Sequence, residues 1–191
     1  MKQLAERELT HTDLRLFDDG DMVISSPITG GDVLSDDDAY WLYMACVIRD
    51  VIRAEPSEWQ YEEGDLEDEE GNVVSGTKKQ SWYCYMRANT DADIHVRATL
   101  TPSNDNPSRW RWGLWGQPSY MYDFSYEMGG WGSAPLEEAK ERALAAIKRE
   151  WSIMTAVLVA MLNGTPSWQE ARQRAEREQL AKMREGATCA T

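Results

Sequence analysis

The sequence predicts an α+β fold: an antiparallel meander sheet of four to five strands with helices packed on one face, plus an N-terminal hairpin and a polar C-terminal helix. Two observations carry this. Between residues 80 and 127, successive stretches alternate apolar and polar residues with period two, the pattern of strands with one buried face. On both sides of that region apolar residues recur at helical spacing. One sheet with helices on its apolar face buries both sets.

Each element has its own signal. In TDLRLFDDGDMVIS, Leu14 and Leu16 alternate with polar residues, Asp19-Gly20 is a turn dipeptide, and an apolar run comes next, so a hairpin is expected. Ser35 is a good N-cap, Asp36, Asp37 and Asp38 suit the positive end of a helix dipole, and Pro56 ends the helical pattern. A helix over about 36–54 results, with Trp41, Ala45, Ile48 and Ile52 inward. Glu58–Glu62 reads as a short strand and 62–77 as a long acidic loop.

In QSWYCYMR, Trp82, Cys84 and Met86 share a face opposite Tyr83, Tyr85 and Arg87. In DIHVRATL, Ile94, Val96, Ala98 and Leu100 oppose His95, Arg97 and Thr99. In RWRWGLW, Trp110, Trp112 and Leu114 oppose Arg109, Arg111 and Trp115. SYMYDFSYE is expected as a fourth strand of this meander. A Gly-rich turn then leads at Ser133 or Ala134 into a long helix, apolar nearly all round from Trp151 and closed by Asn163-Gly164. The last helix begins at Thr165-Pro166, or at Ser167 with Glu170 as a capping box. Its Glu170/Arg174, Arg174/Glu178 and Glu178/Lys182 pairs have (i, i+4) spacing, and only a narrow edge with Trp168, Ala171 and Ala175 is apolar. That leaves it for the surface or for self-association. Residues 1–164 are read as one domain and 165–191 as the helix and a frayed tail.

Charge and composition narrow the function. Of the net −13, residues 31–75 hold fourteen acids against two bases, while 76–134 and 135–191 are each +1. The block centres on YEEGDLEDEEGN. It has the oxygens for calcium but lacks the spacing of a calcium loop, so no metal site is expected. Cys46, Cys84 and Cys189 are widely spaced without a CxxC, against a disulfide framework or structural zinc. Cys46 and Cys84 read as small buried hydrophobes. His11 and His95 lack the neighbourhood of a nucleophile or ligand set, and no G-x-S-x-G, P-loop or H-E-x-x-H occurs. The expectation is a protein that is not an enzyme and takes no cofactor, with an enzyme of unknown type as an alternative that a deep pocket with convergent polar groups would revive. The polar N-terminus lacks a secretory core, and Trp151–Leu162 is too short to span a bilayer, so a cytoplasmic, membrane-free protein is expected.

Two surfaces emerge. An acidic one comprises Asp36, Asp37, Asp38, Glu62, Glu63, Asp65, Glu67, Asp68, Glu69 and Glu70, suited by its field to a basic partner. The other is the sheet's outer face, where Tyr83, Tyr85, Arg87, Arg97, Arg109, Arg111 and Trp115 interleave bases with aromatics, as surfaces for RNA or single-stranded DNA do. The overall charge weighs against direct nucleic-acid binding.

The stretch RWRWGLWGQPSY, followed by GGWGSAPLEEAKERALAAIKREW, resembles a pattern in small phage or prophage proteins. There a Trp-x-Trp strand leads through a Gly-rich turn into a P-x-E-E-A helix. The chain is similar in this, and in its acidity, to some anti-CRISPR proteins. The resemblance implies an inhibitor of host defence in the bacterial cytoplasm that binds a basic nucleic-acid-binding protein or complex through a nucleic-acid-mimicking surface. It carries no site residues across.

Overall fold

The computed structural model describes residues 1–9, 12–25, 34–67, 73–89, 94–117, 126–129, 133–165 and 167–188. The fold is α+β, with two antiparallel sheets and three helices among the described residues. The chain divides into two compact units: Met1–Ala54 with Ala88–Asp91 and Trp151–Thr191, and Glu55–Arg87 with Ala92–Glu150.

In the first unit, β1 (Gln3–Leu9), β2 (Thr12–Phe17) and β3 (Met22–Ile24) form a three-stranded meander. The expected hairpin is β2–β3, and β1 is an added strand. Its polar sequence hides it: Ala5 is buried and pairs with Leu16, while Gln3, Glu6 and Glu8 are exposed. Leu14 and Leu16 are fully buried. Gly20 makes the β2–β3 connection at φ 79°, a left-handed conformation that suits glycine.

Helix α1 (Asp36–Ile52) begins as expected, with the Ser35 hydroxyl accepting from the Asp38 N–H at 3.2 Å. It buries Trp41, Met44, Ala45, Val47, Ile48 and Val51, a wider stripe than the one anticipated. Helix α2 (Leu136–Leu162) gives its residues from Trp151 onward to this unit. It ends in a Schellman motif: Thr165 N–H donates to Ala160 C=O and Gly164 N–H to Met161 C=O, with Gly164 at φ 90°. Helix α3 (Trp168–Thr188) starts at the Ser167 cap, whose hydroxyl accepts from Glu170 N–H. Ala171 and Ala175 bury against Ile153 and Val157 of α2, with Trp168 beside them. The apolar edge of α3 is thus occupied within the chain. Its outer side carries the expected Arg174–Glu178 ion pair and also Arg172–Glu176.

In the second unit, β4 (Gln60–Glu67), β5 (Val73–Arg87), β6 (His95–Pro102), β7 (Trp110–Gln117) and β8 (Tyr126–Gly129) form an antiparallel meander in sequence order. Cross-strand rows Cys84–Ala98–Leu114 and Met86–Val96–Gly116 make the buried face. The first part of α2 buries Ala139, Ala143 and Ile147, and its Lys140 ammonium lies 3.8 Å from the centre of the Trp82 ring. Most of the expected strand SYMYDFSYE, like His11 and Cys189, lies outside the described residues. Cys84 is buried, its thiol pushed up by burial against the lowering effect of Ser57, whereas Cys46 is only half-buried. Among the described residues no helix is long and apolar enough to cross a membrane.

Candidate functional site: the outer face of the five-stranded sheet

The period-two alternation that buries Cys84, Ala98 and Leu114 turns their neighbours outward. Register places Tyr85, Arg97 and Trp115 in one row across β5, β6 and β7, with Glu127 of β8 next in line. Arg87 and His95 form the adjoining row, and Tyr83 pairs with Thr99.

Arg97 is central to this face. Its guanidinium carbon lies 4.8 Å from the Tyr83 ring centre and 5.6 Å from that of Tyr85. The two tyrosines meet edge to face at 5.4 Å. Such diagonal and direct cross-strand contacts are within reach of long side chains on a pleated face, and cations over rings are attracted by the ring quadrupole. The Arg97 Nε is buried without a hydrogen-bond partner, and Arg97 forms no ion pair among the described residues. A half-buried guanidinium normally acquires an anion, because removing its water is costly. Beside it His95 and Trp115 are in contact at 4.9 Å, and Trp115 remains 42% exposed.

The other predicted arginines differ. Arg87 is exposed at the end of β5. Arg111 is exposed and pairs across the strands with Thr101, farther along the same face. Arg109 is exposed but donates from Nε to Ser133 Oγ at 3.1 Å and from its terminal nitrogen to the Ser133 carbonyl, holding the chain ahead of α2. Nothing in the sequence around Ser133 announces that role.

The acidic residues are arranged otherwise than expected. Within the anticipated long loop the described residues are strand, the greater part of β4 and the start of β5: Glu62, Glu63, Gly64 and Asp65 pair in register with Ser81, Gln80, Lys79 and Lys78. The two lysines opposite the acidic run were the missed signal for a hairpin. Charged side chains on an edge strand also discourage edge-to-edge association, a structural reason for part of the acidity. Asp65 pairs with Lys78, and Glu63 accepts from the Tyr61 hydroxyl at 2.9 Å, which pushes the Tyr61 phenol up. Glu62 is exposed and has no ion pair among the described residues. Glu67 is in β4, while Asp68, Glu69 and Glu70 lie outside the described residues.

Asp36, Asp37 and Asp38 belong to the other unit, at the start of α1. The Ser35 hydroxyl and, next, the Arg7 guanidinium at 2.8 Å hold the Asp38 carboxyl below the usual carboxylate range. Asp36 and Asp37 are exposed. The structure therefore brings the aromatic and arginine residues together on three adjacent strands and divides the acidic residues between two units. Comparison with known protein families, characterised proteins and solved structures finds no match to the chain.

Proposed function

We propose that this chain is a non-catalytic binding protein and that the outer face of the five-stranded sheet is its engaging surface. One observation carries the reading. Arg97 is held by two tyrosine rings, has no ion pair among the described residues, and stands in a row with an exposed tryptophan. Trp, Tyr and Arg are the residue types that supply most of the free energy at binding surfaces. Affinity capture from a bacterial lysate, with the wild type beside Arg97→Ala/Trp115→Ala, tests it. The captured material, protein or nucleic acid, should be lost with the double variant and kept with Arg174→Ala on α3. Equal capture by all three proteins would remove the face from consideration.

A second reading, a phage-type inhibitor that mimics nucleic acid towards a basic effector complex, has its own observation. Asp36, Asp37 and Glu62 are exposed and make no ion pair among the described residues, so their field reaches solvent. In that reading the protein works in the cytoplasm of a bacterial host. Asp36→Asn/Asp37→Asn/Glu62→Gln should then lose a captured basic protein, and lose it less at high salt. Unchanged capture would end this alternative.

A further inference from the structure

We infer that the outer sheet face takes single-stranded nucleic acid, with a phosphate at Arg97 and an unstacked base against Trp115. This rests on the reading of that face as the binding surface and names its ligand.

Three features select this chemistry. The first is an anion receptor. The Arg97 guanidinium has no counter-anion among the described residues, and its Nε–H is buried without an acceptor. Two tyrosine rings lie against it, so it loses less freedom on accepting an anion than a free side chain would. The second is a stacking surface one strand away. Trp115, in register with Arg97, is exposed and backed by His95. The third is the alternation of charge and ring. Arg111 and Arg87 are exposed towards the two ends of this face, and rings lie between them.

An oligoglutamate answers the guanidinium but offers no ring for Trp115, and a mixed acidic peptide does not alternate anion and ring regularly along its backbone. A duplex offers phosphates but hides its base faces, which a sheet reaches only when the bases are unstacked. A single strand presents both groups, alternately, along one backbone.

The net charge of −13 opposes this affinity, and its distribution limits the opposition. Glu127 of β8 follows Trp115 in the row and adds to the opposition, whereas Glu62, an exposed carboxylate on β4, stands two strands and about four residues from Arg97 in the register. At usual strand spacings that is ~16 Å, about two Debye lengths at physiological ionic strength. The predicted ligand is therefore held weakly, by a few contacts.

The experiment is fluorescence anisotropy with short labelled oligothymidylate and oligouridylate, with the part of the tryptophan quenching that is lost in Trp115→Phe read in parallel. A duplex and an oligoglutamate peptide serve as competitors. Binding should weaken about ten-fold in Trp115→Ala, in keeping with one base–aromatic stack, and comparably in Arg97→Ala. Arg97→Lys should recover part of the loss, since it keeps the charge without the planar fork. Arg174→Ala removes the same charge from the other unit and should change little. Equal losses in Arg97→Ala and Arg174→Ala would mean diffuse charge attraction and overturn the site. Oligoglutamate binding with no oligonucleotide binding would overturn the nucleic-acid assignment and leave the face as a protein-binding surface. Absence of oligonucleotide binding at low salt also overturns it. Capture from the lysate still decides the face independently, because its outcome does not depend on the ligand's class.

Discussion

The indole N–H of Trp151 donates to the main-chain carbonyl of Val51 at 2.8 Å in a buried setting, across 100 positions of sequence. Val51 lies in the last turn of α1, where its carbonyl also accepts from the Ala54 N–H at 3.3 Å. The indole bond uses the carbonyl's second lone pair and pairs an N–H that needs a partner when buried. Trp151→Phe keeps much of the bulk, removes that bond and leaves the carbonyl with its backbone partner. We expect it to cost about 0.5–1.5 kcal/mol, read as a lower urea midpoint with an unchanged slope. Trp151→Ala adds a cavity and should cost more, about 3–5 kcal/mol. An unchanged midpoint in Trp151→Phe would mean that water or another group serves Val51 equally well.

Acid should destabilise the first unit in a way that two carboxylates explain. Asp38 is lowered by Ser35 and then Arg7, and Glu6 by Arg15 and then Gln3. With the folded-state pKa lowered, the unfolded chain holds the proton more readily. The stabilisation is present above the unfolded pKa, about 4 for these side chains, and is lost as pH falls through the lower folded value. Thermal melts between neutral pH and pH ~3 should show that loss. Asp38→Asn should melt lower at neutral pH and lose part of the acid dependence. A variant whose acid limb overlays the wild type would exclude Asp38 as a contributor.

Two glycines at positive φ separate backbone strain from crowding. Gly20 is at φ 79°, and a Cβ built there would lie 3.0 Å from Arg53 Nε and 3.2 Å from the Arg49 carbonyl oxygen. Gly164 is at φ 90° with no atom within 4 Å of such a Cβ. Gly164→Ala should therefore cost the left-handed penalty alone, about 1–2 kcal/mol. Gly20→Ala should cost more, because Arg53, which pairs with Asp21 at 2.7 Å, must move and the carbonyl is backbone. Equal denaturation midpoints for the two variants would show that the Gly20 turn relaxes freely.

Particular residues show how far the sequence was legible. Cys84, Ala98 and Leu114 alternate with Tyr83, Arg97 and Trp115, and period two alone assigns both faces and hence the aromatic surface. Ser35, Asn163-Gly164 and Ser167 punctuate the helices through local chemistry that needs no tertiary information. The hidden elements are those that depend on pairing partners. β1 is mostly polar, and β4, expected only as far as Glu62, reads as a loop beyond it until Lys78 and Lys79 are set opposite. The stacking of Arg97 on Tyr83 is a diagonal contact whose existence depends on register, and the lack of an ion pair to it among the described residues is visible only in three dimensions.

Glu62 distinguishes the two functional readings by sign. It is exposed on β4, and its partner Ser81 stands two positions before Tyr83, so it shares the outer face. Reversing its charge with Glu62→Lys changes two units of charge ~16 Å from Arg97, worth about 0.5 kcal/mol in water before screening. If the face holds a phosphate, oligonucleotide affinity should rise about two-fold at low ionic strength and return to the wild-type value as the Debye length shrinks to ~8 Å at physiological salt. If Glu62 instead meets a basic partner directly, the same substitution puts like charges in contact. Capture of that partner should then fall, with most of the loss in the association rate. Titrating Glu62→Lys against both ligands over a salt series gives opposite slopes under the two readings, and an effect on neither would place Glu62 outside both surfaces.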